Sequence, residues 1–519
     1  MAKFLLMLKI SKDWFVVLAI ASLALLLRLL LLGKQSLWMD EGFSVWVASH
    51  SIAGIIEMLR FDQHPPLFYL FTHFWLLGGH SEFYLRLPSI LWGTGSALIL
   101  YFFGKDLFEK RIGIWAALLW ACSFVALEHE TQVRMYALAT MLSLLSAYIF
   151  WKAYTSEDRN RWDLYVIAAS LSLYTHYYSG FIILAELLFL AGGKQFKKAI
   201  KLGLFLGFIF LPQFPTLWVQ YHHHISKQLP VMSFSQLSIF FSNIIGLENV
   251  FLSERLSIIF GLLIFVVMAF GLLKLRKEKP SAILYLLLLL FVPTLIPFLI
   301  SRFSSNHVFI YRYVIFFVPY FFLLFITAIK ALLKDFYSAI LLLFLLLNLG
   351  LWTLFISGSA YQRQNWRGAS SLLRQSLKPN DMIFVEQTMA MPCLDYYLPD
   401  FFTMDWKKTF FADVGEEGMS ITTRPINNMN TTWLGLEGEA SLGVLVKLVP
   451  KSNHPWLVLC QSSLVDPHQR VLDWFMHHGR LIKSYQFRSF RPTNEIFIFS
   501  FAKDEKNKEK QKPVGHLKR

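Results

Sequence analysis

Charged residues are scarce in this sequence, and long apolar runs take their place. Of 519 residues, 16% are charged and 55% are hydrophobic, and the mean hydropathy is +0.48. Soluble domains carry about a quarter charged residues, so this imbalance excludes an ordinary soluble fold and favours a bilayer. The net charge of +15 resides in short Lys and Arg clusters between the apolar runs. Such a distribution indicates membrane topology and argues against a nucleic-acid partner.

Cysteine is rare as well. Cys122, Cys393 and Cys460 are the only three, and no C-x-x-C pair is present, so the sequence implies neither a disulfide framework nor a structural zinc site. Whether Cys393 and Cys460 pair stays open. The sequence also lacks a glycine-rich phosphate loop and a Ser-His-Asp order, which excludes the common nucleotide-binding and serine-hydrolase sites.

Apolar runs of about 20 residues are long enough to cross a bilayer as helices. The first run, from Trp14 to Leu32, is too long for the apolar part of a signal peptide and lacks an A-x-A cleavage site, so we interpret it as an uncleaved span. About 11 transmembrane helices are predicted, over residues 14–32, 86–103, 112–128, 134–151, 163–176, 178–192, 202–219, 254–273, 281–300, 308–329 and 335–357.

The apolar stretch from Pro66 to Leu77 decides the topology. It is shorter than a span should be, and if it lies in the interface as a helix, the N-terminus and all basic connections fall on the cytoplasmic side. The first outer loop, 33–85, would then contain interfacial helices. The other segments predicted to be extracytoplasmic are 129–133, 176–178, a second large loop at 220–253, 301–310 and the chain after Ser357.

Polar residues return from about Tyr361 onward. We predict a transmembrane domain over 1–357, an extracytoplasmic mixed α/β domain over 358–502 and a disordered basic tail over 503–519. The predicted helices of the α/β domain are 366–377 and 466–478, and its predicted strands are 382–386, 456–460, 481–487 and 495–501.

Two adjacent carboxylates, Asp40 and Glu41, follow the first span directly. Carboxylates at a membrane face are costly unless they are solvated, paired or bound to a cation, so both are functional candidates. The simpler alternative is that Asp40 caps a helix that begins near Gly42, while Glu41 favours the positive end of that helix.

Cationic residues recur at the same outer level of other spans. One arginine there is explained by snorkelling, but Arg86, Arg134 and Arg312 together favour convergence on an anionic ligand. His176 lies at this level too, and Pro65 with Pro66 forces a rigid extended approach to the next helix that holds His64 at a defined depth. A lipid phosphate is the natural candidate ligand.

Three consecutive histidines, His222 to His224, lie in the second large loop. With Glu128 or Glu130 they could hold a divalent metal ion, but consecutive histidines cannot all point at one ion from a regular element. An exposed polar loop is the favoured interpretation, and metal dependence stays open.

The order of motifs resembles the membrane glycosyltransferases of the GT-C class. W-M-D-E-G at 38–42 is followed by H-P-P-L-F-Y, R-L-P-S and E-T-Q-V-R-M-Y-A-L, then by T-H-Y-Y, an Arg-Tyr pair and N-W-R-G. The similarity is to the bacterial family related to protein O-mannosyltransferases and the lipid A aminoarabinose transferase. It implies Asp40 as catalytic base with Glu41 in support, and a donor-binding role for His64, Arg86, Arg134, Tyr136, His176, Tyr177, Arg312 and Tyr313.

The function expected from this resemblance is transfer of a sugar from a polyprenyl-phosphate-linked donor to an acceptor hydroxyl or phosphate. The reaction would invert the anomeric centre at the outer face of the plasma (inner) membrane. Lipid, glycan and protein acceptors all fit. The main alternative is a multi-span transporter or flippase of a lipid-linked or small anionic substrate, although no self-similarity between halves is visible. A non-catalytic lipid-binding scaffold would keep the arginines but would not need Asp40.

Overall fold

The apolar runs of the sequence form helices in the computed structural model. The structure describes residues 13–30, 32–156, 158–222, 254–304, 311–357, 363–379, 381–400, 419–422, 432–436, 454–461, 468–489 and 494–503, with single positions 309, 442, 445, 446, 449, 452 and 466. Most of the second large loop and the basic tail after residue 503 therefore lie outside the described residues, as do His223 and His224.

The chain divides into two compact units. The first comprises Met1–Leu32 and Ser51–Ser357, and the second comprises Gly33–His50 and Gly358–Arg519. One boundary between the units lies near residue 357, where the predicted membrane domain ends, and the domain assignment stays a prediction. The segment 33–50, which we expected in the first outer loop of the membrane domain, groups with the C-terminal unit.

Helices make up nearly all of the first unit, and each predicted span coincides with one or two of them. The described helices of the chain, in order, are α1 (Trp14–Leu29), α2 (Met39–Ala48), α3 (Ile52–Leu59), α4 (Leu67–Trp75), α5 (Glu82–Leu107), α6 (Lys110–Cys122), α7 (Phe124–His129), α8 (Tyr136–Ser156), α9 (Arg159–Thr175), α10 (Ser179–Gly192), α11 (Phe196–Phe210), α12 (Phe214–His222), α13 (Glu254–Leu275), α14 (Pro280–Phe303), α15 (Val318–Leu333), α16 (Tyr337–Ser357), α17 (Trp366–Ser376), α18 (Met391–Tyr397) and α19 (Arg470–His478).

Several of these helices have the length and composition of membrane spans. In the described part, the stretches long and apolar enough to cross a membrane are Glu82–Leu107, Tyr136–Ser156, Phe196–His222, Arg255–Leu275, Pro280–Phe303 and Val318–Gly350. Large apolar side chains such as Leu204 and Phe208 are more than 70% exposed on α11, as expected for residues that face lipid. The predicted polytopic helical fold is confirmed, while the number of eleven crossings stays a prediction.

Local chemistry breaks some of the predicted spans. The span at 202–219 is α11, a short 3-10 turn at Leu211–Gln213 and α12, because Pro212 and Pro215 interrupt the helical hydrogen bonds. The span at 112–128 is interrupted at Ser123, which is extended and whose hydroxyl caps α7. The span at 308–329 begins as a 3-10 turn, Tyr311–Phe316, before α15.

The stretch from Pro66 to Leu77 forms a short helix, as its length suggested. Helix α4 runs from Leu67 to Trp75 and ends in a 3-10 turn at Leu76–Gly78. Pro66 is its N-cap residue, consistent with the lack of a proline N–H to satisfy at the start of a helix.

The second unit is built on a six-stranded mixed sheet with strand order β2-β3-β1-β4-β6-β5. Strand β1 is parallel to β3 and β4, and the other pairings are antiparallel. The strands are β1 (Met382–Val385), β2 (Met419–Thr422), β3 (Thr432–Leu436), β4 (Pro455–Cys460), β5 (Gly479–Phe487) and β6 (Ile496–Lys503). All four predicted strands and both predicted helices of this mixed α/β domain are present, whereas β2, β3 and α18 were not predicted.

Aromatic and aliphatic side chains of the strands pack with α19 to form the core of this unit. Its fully buried centre contains Phe384, Leu457, Val471, Phe475 and Phe501. The start of α19 is fixed by Asp466, whose carboxylate accepts the backbone N–H groups of Arg470 and Val471 at 3.0 and 2.8 Å. This accounts for the observed start of the helix four residues after the predicted one.

Candidate active site

The loop before α4 holds a buried histidine in a defined orientation. His64 Nδ1 lies 3.1 Å from Asp62 Oδ2, and the Tyr69 hydroxyl donates to the same oxygen at 2.8 Å. Since an ionised carboxylate only accepts hydrogen bonds, His64 Nδ1 carries a proton here. The other ring nitrogen, Nε2, is buried and has no hydrogen-bond partner among the described residues.

A second buried histidine interrupts the helical path between α9 and α10. His176 has an extended backbone, with φ −157° and ψ 130°, and is 3% exposed. Its Nδ1 accepts the backbone N–H of Tyr178 at 3.1 Å, so the proton of the neutral ring is on Nε2. This Nε2 is also buried and finds no partner within the described part of the chain.

The two histidines lie side by side in an aromatic cluster. The ring centroids of His64 and His176 are 5.3 Å apart, and the Tyr313 ring is 4.7 Å from that of His176. Tyr136 lies 6.2 Å from His176 and 6.4 Å from Tyr313, and Tyr178 lies 4.9 Å from Tyr313. The loop before α4, the α9–α10 connection, the start of α8 and the 3-10 turn at 311–316 therefore converge at one place.

Two arginines supply positive charge to this cluster. The Arg134 guanidinium carbon is 5.8 Å from the centre of the Tyr136 ring. Burial lowers the pKa of the His64 imidazole, and the charges of Arg134 and Arg312 lower it further, while Asp62 partly offsets them. Burial alone would raise the pKa of Asp62, but His64 and Arg134 outweigh it and hold this carboxyl at about 2.

The connection that carries Arg134 is fastened to α1 and α5. Arg28 Nε donates to Glu130 Oε2 at 2.9 Å, and both side chains are fully buried. The Ser89 hydroxyl donates to the Gln132 carbonyl at 2.6 Å. Gly93 is needed beside the pair, because a Cβ there would lie 2.5 Å from Glu130 Oε2.

Arg86 and Tyr177 are the other predicted site residues of the helical unit. Arg86 is 3% exposed on α5, three positions before Ser89. The Tyr177 hydroxyl donates to Gln220 Oε1 at 2.7 Å and accepts from Gln213 Nε2 at 3.0 Å, so this side chain fastens α12. Its neighbour Tyr178 is the one whose ring stacks in the cluster.

Asp40 and Glu41 lie in the second unit, at the start of α2. The helix begins at Met39 with Trp38 as its N-cap residue, so Asp40 is not the cap residue. Instead, the Trp38 backbone N–H donates to Glu41 Oε2 at 3.3 Å, and Glu41 is 1% exposed while Asp40 is partly exposed. The alternative in which Asp40 caps a helix starting near Gly42 is therefore wrong, and the cap-type contact belongs to Glu41.

The C-terminal unit holds the Asp40 segment by several hydrogen bonds. Met39 N donates to Gln364 Oε1 at 2.9 Å, and Leu37 N donates to the Tyr397 hydroxyl at 2.7 Å. Cys393 lies so close to Gly42 that a Cβ at this glycine would be 2.5 Å from the cysteine sulfur. Both Cys393 and Cys460 are free thiols, and burial raises the pKa of each.

The described residues contain no preformed metal site, because no three of their His, Cys, Asp or Glu side chains are grouped closely enough to hold an ion. Glu130, one of the two carboxylates considered for a metal site, is paired with Arg28. His222 Nδ1 contacts the Trp218 carbonyl at 2.9 Å on α12.

Asp62 and Tyr178 were not singled out from the sequence. The signal for Asp62 was its spacing, because an Asp two residues before a His can reach Nδ1 when the chain turns between them. Tyr178 carried no signal that separates it from Tyr177, since the break in the helix at His176 decides which ring turns inward.

Comparison with known protein families finds a match within the helical unit. Residues 63–218 match the family described as dolichyl-phosphate-mannose-protein mannosyltransferase. This range contains the predicted site residues from His64 to Tyr177. Among curated proteins, no sequence matches this chain.

Solved structures share the fold at low sequence identity. ArnT from Cupriavidus metallidurans in the apo state is similar with a TM-score of 0.54 and 12% identity, over 94% of this chain and 98% of that one. The same protein bound to undecaprenyl phosphate gives 0.51 and 12% over 94% and 98%. The apo Archaeoglobus fulgidus oligosaccharyltransferase gives 0.50 and 12%, over 95% of this chain and 75% of that one. The predicted resemblance is confirmed: residues 63–218 are similar to the protein mannosyltransferase family, and the chain shares its fold with ArnT and the Archaeoglobus fulgidus oligosaccharyltransferase.

Proposed function

We propose that the protein transfers a sugar from a polyprenyl-phosphate-linked donor to an acceptor hydroxyl or phosphate. The reaction takes place at the outer face of the plasma membrane, inverts the anomeric centre and uses Asp40 as the base. The observation that carries the proposal is the pair of buried Nε2 atoms of His64 and His176, which lack partners among the described residues and lie beside Arg134 and Arg312.

Such a cluster suits a phosphate group better than any other common ligand. Buried polar atoms are normally hydrogen-bonded, so two unsatisfied ring nitrogens on neighbouring side chains favour this place as a ligand site. Arginine and histidine donors match the geometry and charge of phosphate oxygens. The related ArnT has been solved with undecaprenyl phosphate, which supports the same class of ligand for this chain.

The chemistry requires one carboxylate and several cations. Asp40 takes the proton of the acceptor hydroxyl while the acceptor oxygen attacks the anomeric carbon from the face opposite the phosphate. The departing phosphate gains negative charge, which Arg134, Arg312 and the histidines stabilise. Because this is a single displacement, the configuration at the anomeric carbon inverts.

The orientation of the chain follows from the distribution of its basic residues. Lys and Arg clusters occur at 105–111, 152–161, 194–201, 274–279 and 330–334, all between predicted spans of the same parity. The positive-inside rule puts these connections and the N-terminus in the cytoplasm. The site residues and the C-terminal α/β unit are then extracytoplasmic.

Replacing Asp40 by Asn tests the assigned base. The purified variant should lose about 10²–10⁴-fold in turnover with a synthetic polyprenyl-phosphate sugar, because the amide cannot accept the proton. The readout is the glycosylated acceptor, quantified by mass spectrometry.

Glu57→Gln provides the matched control, since Glu57 is an exposed carboxylate on α3 of the same predicted outer loop. It should keep full turnover. Asp40→Asn with undiminished turnover would reject Asp40 as the base.

A further inference from the structure

The two clustered histidines present opposite tautomers to the candidate phosphate site. His64 donates from Nδ1 to Asp62, so its neutral ring offers a lone pair at Nε2. His176 accepts the Tyr178 N–H at Nδ1, so its neutral ring offers an N–H at Nε2. One ring is therefore a proton acceptor toward the site, and the other is a donor.

Only one of these rings can gain a proton without losing a contact. Protonation of His176 at Nδ1 would break the hydrogen bond from the Tyr178 backbone. Protonation of His64 at Nε2 keeps the Asp62 contact, in which Nδ1 of the charged ring would lie 3.1 Å from a carboxylate oxygen. Proton gain in the cluster is thus directed to His64.

Without a bound anion, the His64 ring is expected to be neutral. Its ring is 5% exposed, and its burial, together with two arginine charges, lowers its pKa below the usual value. An anion bound among the arginines would cancel part of that positive charge. The groups that face His64 from the surrounding elements are Asp62, Tyr69, Arg134, Arg312 and His176.

The sugar donor and the lipid phosphate product of the proposed reaction differ in their charge and in their affinity for a proton. A polyprenyl-phosphate sugar is a phosphodiester with one charge and no proton to exchange near neutral pH. The released polyprenyl phosphate is a monoester, whose second pKa is about 6. The site therefore has to accommodate one additional negative charge once the glycosidic C–O bond breaks.

We propose that His64, held by Asp62, shares one proton with the phosphate monoester, so that the monoester binds with proton uptake and the diester does not. This inference rests on the proposed function, because it assigns His64 as the group that compensates the negative charge gained by the leaving phosphate. Asp62 acts through His64 and is a positioning residue.

Bonds, electron pairs and protons all balance in the transfer step. The acceptor O–H bond breaks, its proton goes to Asp40 and then to water, and the acceptor oxygen bonds to the anomeric carbon. The bond from that carbon to the phosphate oxygen breaks, with its electron pair going to the phosphate. One proton from water is held between His64 Nε2 and a phosphate oxygen, so the overall step with bound product neither gains nor loses a proton.

Binding calorimetry in buffers of different ionisation enthalpy measures this proton directly, without an acceptor. The probes are farnesyl phosphate as the monoester, farnesyl methyl phosphate as the diester and inorganic phosphate. At pH 8, farnesyl phosphate should bind the full-length wild-type protein with uptake of about one proton, and the diester with none. The affinity of the protein for farnesyl phosphate should fall about tenfold per pH unit above pH 7, because the unbound His64 ring and the unbound monoester are then both deprotonated.

Matched variants separate His64 from its neighbour. His64→Gln should bind farnesyl phosphate without proton uptake, while His176→Gln should bind it more weakly with uptake unchanged. Asp62→Asn should move the loss of affinity to lower pH, since the imidazolium loses its carboxylate. Farnesyl phosphate should also bind at least tenfold more tightly than inorganic phosphate; equal affinities would overturn the assignment to a lipid-linked phosphate.

The outcomes that contradict the inference differ from those that contradict the function. Monoester binding without proton uptake in the wild type, or uptake that survives in His64→Gln, would overturn the role of His64 and leave sugar transfer intact. Failure of both lipid phosphates to bind would instead overturn the proposed function itself.

Discussion

At the scale of single residues, the least expected feature is an ion pair shielded from all solvent. Arg28 lies within the first predicted span, and its guanidinium contacts Glu130, the Ala24 carbonyl and the Ala121 carbonyl. An ionisable residue inside an apolar span indicates a buried partner, so the sequence contained this signal at Arg28. The partner could not be read from the sequence, because Glu130 lies 102 positions away.

Replacing Glu130 by Ala should destabilise the protein by about 3–5 kcal/mol, because Arg28 would keep an uncompensated buried charge. Thermal unfolding of the purified protein measures this effect. The double variant Arg28→Met with Glu130→Ala should recover much of the loss, since no charge then remains buried. Asp400→Ala removes the partner of Arg374 in an exposed pair at 3.3 Å and should cost about 1 kcal/mol or less. Equal losses for the buried and the exposed pair would contradict this account.

The residues of the candidate site show what position alone can predict. Arg134, His176 and Arg312 were selected because they lie at the outer ends of spans, and His64 because two prolines fix its depth. The structure brings all four into one cluster. Their tautomers and charges could not be predicted, because these depend on Asp62 and on the Tyr178 backbone N–H.

At the scale of secondary-structure elements, the close approach of α5 to the Arg28–Glu130 pair depends on one glycine. A Cβ on Gly93 would lie 2.5 Å from Glu130 Oε2 and 2.8 Å from Arg28 Nε, so the pair would have to move. Because the pair fastens the connection that leads to Arg134, such a shift would also disturb the cluster.

Gly93→Ala should therefore cost about 1–3 kcal/mol of stability through overpacking, and it should weaken the binding of farnesyl phosphate. Gly207→Ala is the matched control, since a Cβ on that helical glycine meets nothing within 4 Å. The control should be neutral or stabilise by up to about 1 kcal/mol through helix propensity. Unfolding curves and calorimetry report the two effects, and a neutral Gly93→Ala would show that the pair tolerates displacement.

Elements were predictable where their sequence pattern was strong. Long apolar runs located the helices, and the strands at 382–385 and 455–460 followed from short buried runs. Strands β2 and β3 are only four and five residues long and include Ser, Thr and Gly, so no periodicity marked them. The breaks at Ser123 and His176 are local: Ser123 is extended and caps α7 with its hydroxyl, and His176 is extended and accepts the Tyr178 backbone N–H.

At the scale of the whole molecule, the chain combines a helical membrane unit with a sheet-based unit that includes the segment around Asp40. That grouping could not be predicted from the sequence, because Met39 and Gln364 are 325 positions apart. Asp40 lies in the sheet-based unit, and Arg134 and Arg312 lie in the helical unit.

The central claim is that this protein transfers a sugar from a polyprenyl-phosphate-linked donor to an acceptor and releases the polyprenyl phosphate. The most direct measurement incubates the purified wild-type protein with a synthetic polyprenyl-phosphate sugar and candidate acceptors, and quantifies both products by mass spectrometry. The account predicts glycosylated acceptor and free polyprenyl phosphate in a one-to-one ratio, with inverted anomeric configuration. Translocation of the intact donor across proteoliposomes, with no covalent product for any acceptor, would contradict it and identify a transporter instead.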